Sequence, residues 1–392
     1  MKIQTSQAKS TQQKLAFIAN TAQGMLNFRL EVLQALQKMG YEIHILAPIF
    51  ESTHELNHAA TTLQRHGFIL HHIQVDSQGL NPLRDLSLAY AIFKHLRLLK
   101  PQMVFSYTIK PVIYASFVAN LLMIPHIAVI TGLGFVFIGD GIKKRILRKL
   151  VCLMYSMSLK GCFQVWFLNS DDKEEFLKRK IIAPKKACLL DSEGVNTEFF
   201  SPDLESPSDT QAFIFLLPAR MLWDKGVGEF VQASRILQAN KSTRFYLLGQ
   251  SDCPNPQAIS REQIMQWESE GLITYLGFAS DVRAYIKASS CVVLPSYREG
   301  VSVALLEAMS MAKPIITTST PGCKEMVVEG YNGFLCKPRD SHSLASCMQK
   351  MLSLKPQELL TLGQNSRKIA LTRYDRKLTI ARYKQALAQA LK

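Results

Sequence analysis

Short runs of β-branched and aliphatic residues alternate with longer helix-patterned stretches along almost the whole chain, and this alternation restricts the fold more than any other feature. A strand followed by a helix and then by a strand of the same sense is a βαβ unit, with parallel strands and helices covering both faces of the sheet. The apolar runs predict strands at Leu15–Asn20, Glu42–Leu46, Ile69–Val75, Met103–Ser106, His126–Thr131 and Gln164–Asn169. A second set follows at Phe213–Leu217, Arg244–Leu248, Ile273–Leu276, Cys291–Leu294 and Ile315–Thr317. Between the sets, residues 201–209 (Ser-Pro-Asp-Leu-Glu-Ser-Pro-Ser-Asp) lack apolar periodicity and have the composition of a linker. A chain of 392 residues is also too long for one ordinary core. The expectation is therefore an α/β protein of two domains, 14–200 and 210–374, joined by a linker at 201–209. A polar tail without structure covers 1–13, and a C-terminal helix over 375–392 carries Leu378, Ala381, Leu387 and Leu391 at roughly helical spacing, free to pack back on the first domain.

Lys and Arg number 46 against 31 Asp and Glu, a formal charge of +15 that attracts anions, whether nucleic acid, acidic lipid headgroups or phosphorylated substrates. No nucleic-acid-binding module accompanies the charge, so nucleic acid is not expected as a partner. The eight cysteines are scattered and form no CxxC, which reads as buried thiols in a reducing compartment and not as a disulfide framework or zinc site. The N-terminus is polar where a signal peptide needs an apolar core, which points to the cytoplasm. Pro111 to Gly139 contains no Asp, Glu, Lys or Arg and is long enough to span a membrane. However, Asn120, Pro125, His126, Thr131, Gly132 and Gly134 divide it into helix, turn, strand and glycine loop, and the buried helix-strand reading is preferred.

Two segments carry the chemistry. In Leu294-Pro295-Ser296-Tyr297-Arg298-Glu299-Gly300-Val301-Ser302, a buried strand runs into a glycine loop, and a helix is expected to begin at Ser302, whose hydroxyl suits an N-cap. Free amides at a helix start, the positive end of its dipole and the close approach that Gly300 permits together suit a phosphate. Glu299 and Glu307, eight residues apart, can face one ligand from two sides. A single glutamate such as Glu307 is more often an ordinary exposed helix residue, and the setting after a strand end is what lifts the pair. The second segment, Arg220-Met221-Leu222-Trp223-Asp224-Lys225-Gly226, also follows a strand end. Arg220 offers a bidentate fork and Lys225 a point charge for the same anion, while a solvated basic loop is the competing reading.

Taken together these segments resemble the nucleotide-binding half of glycosyltransferase family 4, which has the GT-B fold of two facing Rossmann-like domains with a cleft between them. The resemblance rests on Arg220-x4-Lys225-Gly226, on the E-x7-E pair Glu299 and Glu307, and more loosely on Gly194-Val195-Asn196-Thr197-Glu198-Phe199-Phe200. It implies a retaining transfer from a nucleotide-diphosphate sugar, with uridine diphosphate as the expected nucleotide. It also implies that Arg220 and Lys225 neutralise the diphosphate, that the amides of Gly300, Val301 and Ser302 hold it, that Glu307 binds the ribose hydroxyls and that Glu299 contacts the sugar. Gly249 and Phe278, each just past another strand of this half, complete the donor set. Fixed positive groups beside a departing diphosphate stabilise the transition state more than the ground state. Some relatives bind a metal through Asp-x-Asp; none occurs here, so no cofactor and no metal requirement is expected.

By the same resemblance the first half binds the acceptor. Gly24, Asn27 and Arg29 lie in a glycine loop entering a helix, Lys110 follows another strand end as a candidate anion contact, and Thr131-Gly132 ends a third strand. Several relatives carry histidine where Thr131 stands, so that role is not transferred. Gly132-Leu133-Gly134 is no dinucleotide fingerprint, since Phe137 occupies the third glycine position. Lys143, Lys144, Arg145, Arg148 and Lys149 sit among apolar residues at helical spacing, either a helix lying on an anionic membrane or a core-packed helix with a solvated basic face. The chain is also similar to bacterial members of the family that extend a saccharide on undecaprenyl diphosphate. A lipid-linked acceptor and a peripheral position on the inner face of the plasma membrane are therefore expected.

Two other readings compete. A nucleotide-sugar 2-epimerase of GT-B-like fold would use the same phosphate contacts but adds acid-base histidines and carboxylates, of which no convincing set is found. His54-Glu55-Leu56-Asn57-His58 spells the His-Glu-x-x-His of zinc metalloproteases. It sits between predicted strands, away from the strand ends and without an assigned third ligand, so coincidence is the preferred explanation.

Overall fold

A computed structural model describes residues 12–51, 56–76, 81–134, 137, 141–202, 212–240, 242–251 and 255–391. The chain divides into two units, the first formed by residues up to Phe167, Asp172–Leu190 and Ile380 onward, the second by Leu168–Asp171 and Asp191–Thr379.

The first unit alternates strand and helix: β1 (Lys14–Ile18), α1 (Ala22–Gln37), β2 (Glu42–Ala47), α2 (His58–Arg65), β3 (Ile69–His72), α3 (Pro82–Leu99), β4 (Met103–Tyr107), α4 (Ile109–Leu121), β5 (His126–Ile130), α5 (Ile142–Ser158), β6 (Gln164–Phe167), α6 (Ser170–Lys178) and β7 (Ala187–Leu189). All pairings are parallel, in the order β3-β2-β1-β4-β5-β6-β7. Such strands read as continuous apolar runs because helices bury both faces, and Leu15 to Ile18 of β1 are indeed fully buried. Right-handed crossovers leftward from β1 place α1 and α2 on one face. Those running rightward from β3 place α3, α4 and α5 on the other, where α3 packs on α4 and α4 on α5. Tyr383, on the closing helix, completes this unit's core: its hydroxyl lies 2.8 Å from that of Tyr107, and its ring meets Trp166 edge-on at 4.8 Å.

The second unit contains β8 (Phe213–Pro218), α7 (Val227–Ile236), β9 (Thr243–Leu248), α8 (Arg261–Ser269), β10 (Thr274–Tyr275), α9 (Arg283–Ala288), β11 (Cys291–Leu294), α10 (Val303–Ser310), β12 (Ile315–Thr318), β13 (Gly333–Cys336), α11 (Ser341–Leu352) and α12 (Pro356–Ile369), and α13 (Arg376–Ala390) starts in it. Its sheet order, β10-β9-β8-β11-β12-β13, repeats the winding of the first. Phe215, Leu217, Phe230 and Val293 fill one face of its core, and Leu216, Val292, Leu305 and Met309 the other.

The units part at Leu190, ahead of the polar segment 201–209, of which residues 203–209 lie outside the described residues, as does most of the tail 1–13. The physical reason is pairing with the far end of the chain. The Val195 amide donates to the Tyr374 carbonyl at 2.8 Å, the Arg376 amide to the Val195 carbonyl at 2.9 Å, and the Thr197 hydroxyl to the Asp375 carboxylate at 2.6 Å. The uncharged stretch from Pro111 becomes most of α4, then β5 and the loop after it, and no helix among the described residues is long and apolar enough to cross a membrane. The seven described cysteines are free thiols; Cys253 lies outside the described residues.

Candidate functional site

In a doubly wound sheet, ligands bind beyond the carboxyl ends of the strands where the winding changes direction, because the loops there diverge to opposite faces. In the second unit that point lies between β8 and β11, which pair through Phe215–Cys291 and Leu216–Val292. The loops leaving these two strands are the two singled out by composition. One carries Arg220 and Lys225; the other carries Glu299, Gly300, Val301 and Ser302.

The two loops are locked to each other. The Tyr297 amide donates to the Asp224 carbonyl at 2.9 Å, and the Ser296 hydroxyl donates to the same oxygen at 3.2 Å. Gly226 has φ +73°, and a Cβ there would lie 2.2 Å from the Pro295 carbonyl oxygen, so only glycine permits this approach. A short 3₁₀ turn at Trp223–Lys225 then leads into α7. Across the junction the Lys225 ammonium donates to the Glu299 carboxylate at 2.5 Å, both side chains being largely buried. Arg220 is exposed, in the same loop as Lys225.

Ser302 caps α10 by accepting from the Leu305 amide at 3.3 Å, which aims the remaining first-turn amides and the positive dipole end out of the loop. The loop is braced from outside its own segment: the buried Asn169 amide donates to the Gly300 carbonyl at 2.8 Å, and the Glu299 amide donates to the Pro321 carbonyl at 3.0 Å. Gly249 closes the next strand end, donating to the Gly277 carbonyl and accepting from the Tyr275 hydroxyl, both at 2.8 Å. Phe278 stands 71% exposed.

Glu307, in the second turn of α10, is partly buried and not the exposed helix glutamate that its neighbours alone allow. Burial raises its pKa to about 7, with the nearby Asp281 adding to the rise and Arg376 opposing it. Arg376 itself is held by two donations to the Gly194 carbonyl at 2.7 and 3.0 Å. A carboxylate this poorly hydrated favours partners that donate hydrogen bonds, which vicinal hydroxyls do. Asn169 and Arg376 escaped the sequence reading; only the position of Asn169 at the end of a predicted strand hinted at a role.

Two family models match the chain: one described as glycosyl transferase 4-like over residues 14–168, the other as glycosyl transferases group 1 over residues 212–354. The first spans β1 to β6 and the second β8 to β13, and the second contains Arg220, Lys225, Glu299 and Glu307. The chain is a glycosyltransferase with a 4-like first half and a group 1 second half. It is 27% identical over 391 residues, 97% of this chain and 99% of the other, to the N,N'-diacetylbacillosaminyl-diphospho-undecaprenol alpha-1,3-N-acetylgalactosaminyltransferase of Campylobacter jejuni. The transferase shares its fold with a glycosyltransferase from Rickettsia africae, at a TM-score of 0.77 and 19% identity, covering 97% of this chain and 99% of that one. It shares it also with Anabaena HepE in complex with UDP, at a TM-score of 0.75 and 16% identity over 96% and 100% of the two chains. These likenesses place it in the GT-B class.

The first unit of the transferase has the same winding, with its switch point between β1 and β4. Thr21 caps α1 by accepting from the Gly24 amide at 3.0 Å, and the Gly24 carbonyl accepts from Arg29 at 3.0 Å. Arg29 is 4% exposed, with its guanidinium stacked 3.8 Å from the centre of the Tyr107 ring at the end of β4, while Asn27 is exposed. Lys110, proposed from sequence as an anion contact, is ion-paired with Asp85 at 2.7 Å with both groups largely buried, so its charge is already matched inside this unit. Thr131 and Gly132 follow β5, the neighbour of β4, and are half-buried.

On α5, Lys143, Lys144, Arg145 and Lys149 are exposed, and Arg148 stands 5.9 Å from the Phe137 ring. Of the His-Glu-x-x-His pattern, His54 and Glu55 lie outside the described residues and His58 opens α2. Among the described residues no three His, Cys, Asp or Glu side chains are grouped to hold a metal ion.

Proposed function

We propose that this transferase moves a hexose or N-acetylhexosamine, with retention of configuration, from a UDP-sugar to a saccharide carried on undecaprenyl diphosphate, in the assembly of a bacterial surface glycan. The observation that carries the reading is the locked pair of loops at the β8–β11 switch point, one supplying Arg220 and Lys225, the other the capped start of α10. Such a site absorbs the charge that grows on a diphosphate as its bond to the sugar breaks. The Campylobacter relative, similar over nearly the full length of both chains, supports the lipid-linked acceptor, and the UDP held by the Anabaena neighbour supports the nucleotide.

In this reading Arg220, Lys225 and the amides of Gly300 to Ser302 hold the diphosphate. Glu307 takes the ribose hydroxyls, Glu299 contacts the sugar, and Gly249 and Phe278 border the donor. The bond from the anomeric carbon to the diphosphate oxygen breaks while the acceptor oxygen bonds to the same carbon, and the acceptor proton passes to the departing phosphate oxygen. No protein nucleophile and no metal takes part. The first unit presents the acceptor through Gly24, Asn27, Thr131 and Gly132, with the buried Arg29 bracing the Gly24 carbonyl. The cations of α5 hold the enzyme against the anionic inner face of the plasma membrane.

The test is release of UDP from a panel of UDP-sugars, with and without undecaprenyl-diphosphate saccharides. Acceptor-dependent release with a retained anomeric product is expected. Turnover of donor alone to an epimerised sugar, or no release with any pair, contradicts the proposal.

A further inference from the structure

Of the 26 large apolar side chains exposed among the described residues, 12 lie on or beside three consecutive helices of the first unit, α3, α4 and α5. They are arranged and not scattered. On α5, Ile142, Ile146, Leu150, Leu153 and Met157 recur at intervals of three and four residues, from 52% to 77% exposed, and so form one stripe. The opposite stripe of the same helix, Val151, Tyr155 and Ser158, is buried in the core. On α3, Leu83, Leu86, Tyr90 and Leu98 form a second stripe, each at least 67% exposed. On α4, nearly all of which is buried, the exposed positions are Phe117 and Leu121, one turn apart, followed by Met123 at 90%. The three helices cover the same face of one sheet with α4 in the middle, so their solvent sides form a single surface.

The charge on these helices has one sign. Asp85 is their sole carboxylate, and it is already paired with Lys110, whereas Lys94, Arg97, Lys143, Lys144, Arg145 and Lys149 all lie in exposed positions. Monomeric soluble proteins seldom leave apolar patches of this extent in water. Self-association through a two-fold axis sets a patch against its own copy, which here brings cation against cation. Apolar side chains flanked by lysine and arginine match instead an anionic bilayer, where the chains enter the acyl boundary and the cations meet the headgroups.

We infer that α3, α4 and α5 form one interfacial docking face that inserts apolar side chains into an anionic bilayer, so that the enzyme is held by insertion and not by the α5 cations alone. This rests on the reading of the chain as a transferase with a membrane-held acceptor, and it assigns to α3 and α4 a role that their sequence did not suggest.

The experiment is sedimentation of the full chain with phosphatidylcholine vesicles containing phosphatidylglycerol, at low salt and in about 1 M salt, where the Debye length is only ~3 Å. Two double variants, I146Q/L150Q on α5 and F117Q/L121Q on α4, replace exposed positions without adding charge, and UDP release with a water-soluble, short-chain acceptor reports on the rest of the enzyme. The wild type is expected to keep a bound fraction in high salt, and each double variant to lower that partition about tenfold or more while releasing UDP at the wild-type rate. Complete release of the wild type by salt, wild-type partition by both variants, or a dimer that buries this face in sedimentation equilibrium would each overturn the inference. Vesicle binding without UDP release from any donor and acceptor would overturn the proposed function and leave the docking face standing.

Discussion

The Lys225 ammonium lies 2.5 Å from the Glu299 carboxylate, joining two loops through residues 74 apart in sequence. The carboxylate holds the lysine in place. In the proposed function a diphosphate competes for a cation whose direction is already fixed, which reduces the reorganisation needed on binding. Replacing Lys225 by Ala is expected to lower turnover about 10²–10³-fold, the usual loss when one preorganised donor to a developing anion is removed. Glu299→Gln is expected to lower turnover while leaving UDP affinity unchanged or tighter, because it frees the ammonium and alters only the sugar contact. Steady-state kinetics with UDP titration separates the two effects.

Glu307 gives a pH dependence of defined sign. Its folded-state pKa, about 7, stands above the ordinary carboxyl value of 4.5, so folding favours its protonated form. Its stabilising contribution is complete below pH ~4.5 and is lost as pH rises through about 7, since the buried carboxylate must then carry its charge. Glu307→Gln removes that cost, so the variant should exceed the wild type in stability at pH 8, on the order of 2 kcal/mol, and match it near pH 4.5. Donor affinity should respond in the opposite sense, falling in the wild type as pH drops below 7 and the acceptor for ribose hydroxyls is protonated. Melting curves and UDP titrations across pH 5 to 8 test both.

Gly226→Ala tests the loop junction. The new Cβ would lie 2.2 Å from the Pro295 carbonyl oxygen at a residue with φ +73°, so steric overlap and backbone strain act together. A loss of ~2 kcal/mol or more is expected in urea unfolding, with donor binding weakened because the Lys225 loop can no longer approach the Glu299 loop. An alanine variant as stable and active as the wild type would show that the junction is not what positions the site.

Activity should survive exhaustive chelation, because in the proposed function Arg220, Lys225 and the α10 amides take the role that a divalent ion plays in metal-dependent transferases. UDP release measured before and after treatment with excess chelator checks this. Loss of turnover that returns on adding Mg²⁺ or Mn²⁺ would contradict it.

The sheets were legible in sequence because buried parallel strands are continuous apolar runs, and Cys291–Leu294 was read to the residue. The two strands that were missed sit at sheet edges: β7 has three residues and follows Pro184-Lys185-Lys186, and β13 begins with Gly333. Edge strands are buried on fewer sides and need less apolar character, so the pattern that marks a central strand is weak there. The candidate site was legible as composition, cations and a glycine loop after strand ends, but not as connectivity. Which groups pair depends on contacts between distant segments, as in Lys225 with Glu299, Lys110 with Asp85 and Asn169 with Gly300, and no local pattern encodes these. The same holds for α5: sequence showed cations and apolar residues interleaved, but burial alone separates the stripe that serves the core from the one left in solvent.

The central claim is that the second unit holds a nucleotide diphosphate through Arg220, Lys225 and the start of α10. Thermal unfolding with increasing UDP tests it most directly, because a ligand that binds only the folded chain raises Tm in step with its occupancy. The account predicts a concentration-dependent rise in the wild type and its near abolition in an R220A/K225A double variant that melts cooperatively on its own. An equal rise in both proteins, or none in either, would contradict it.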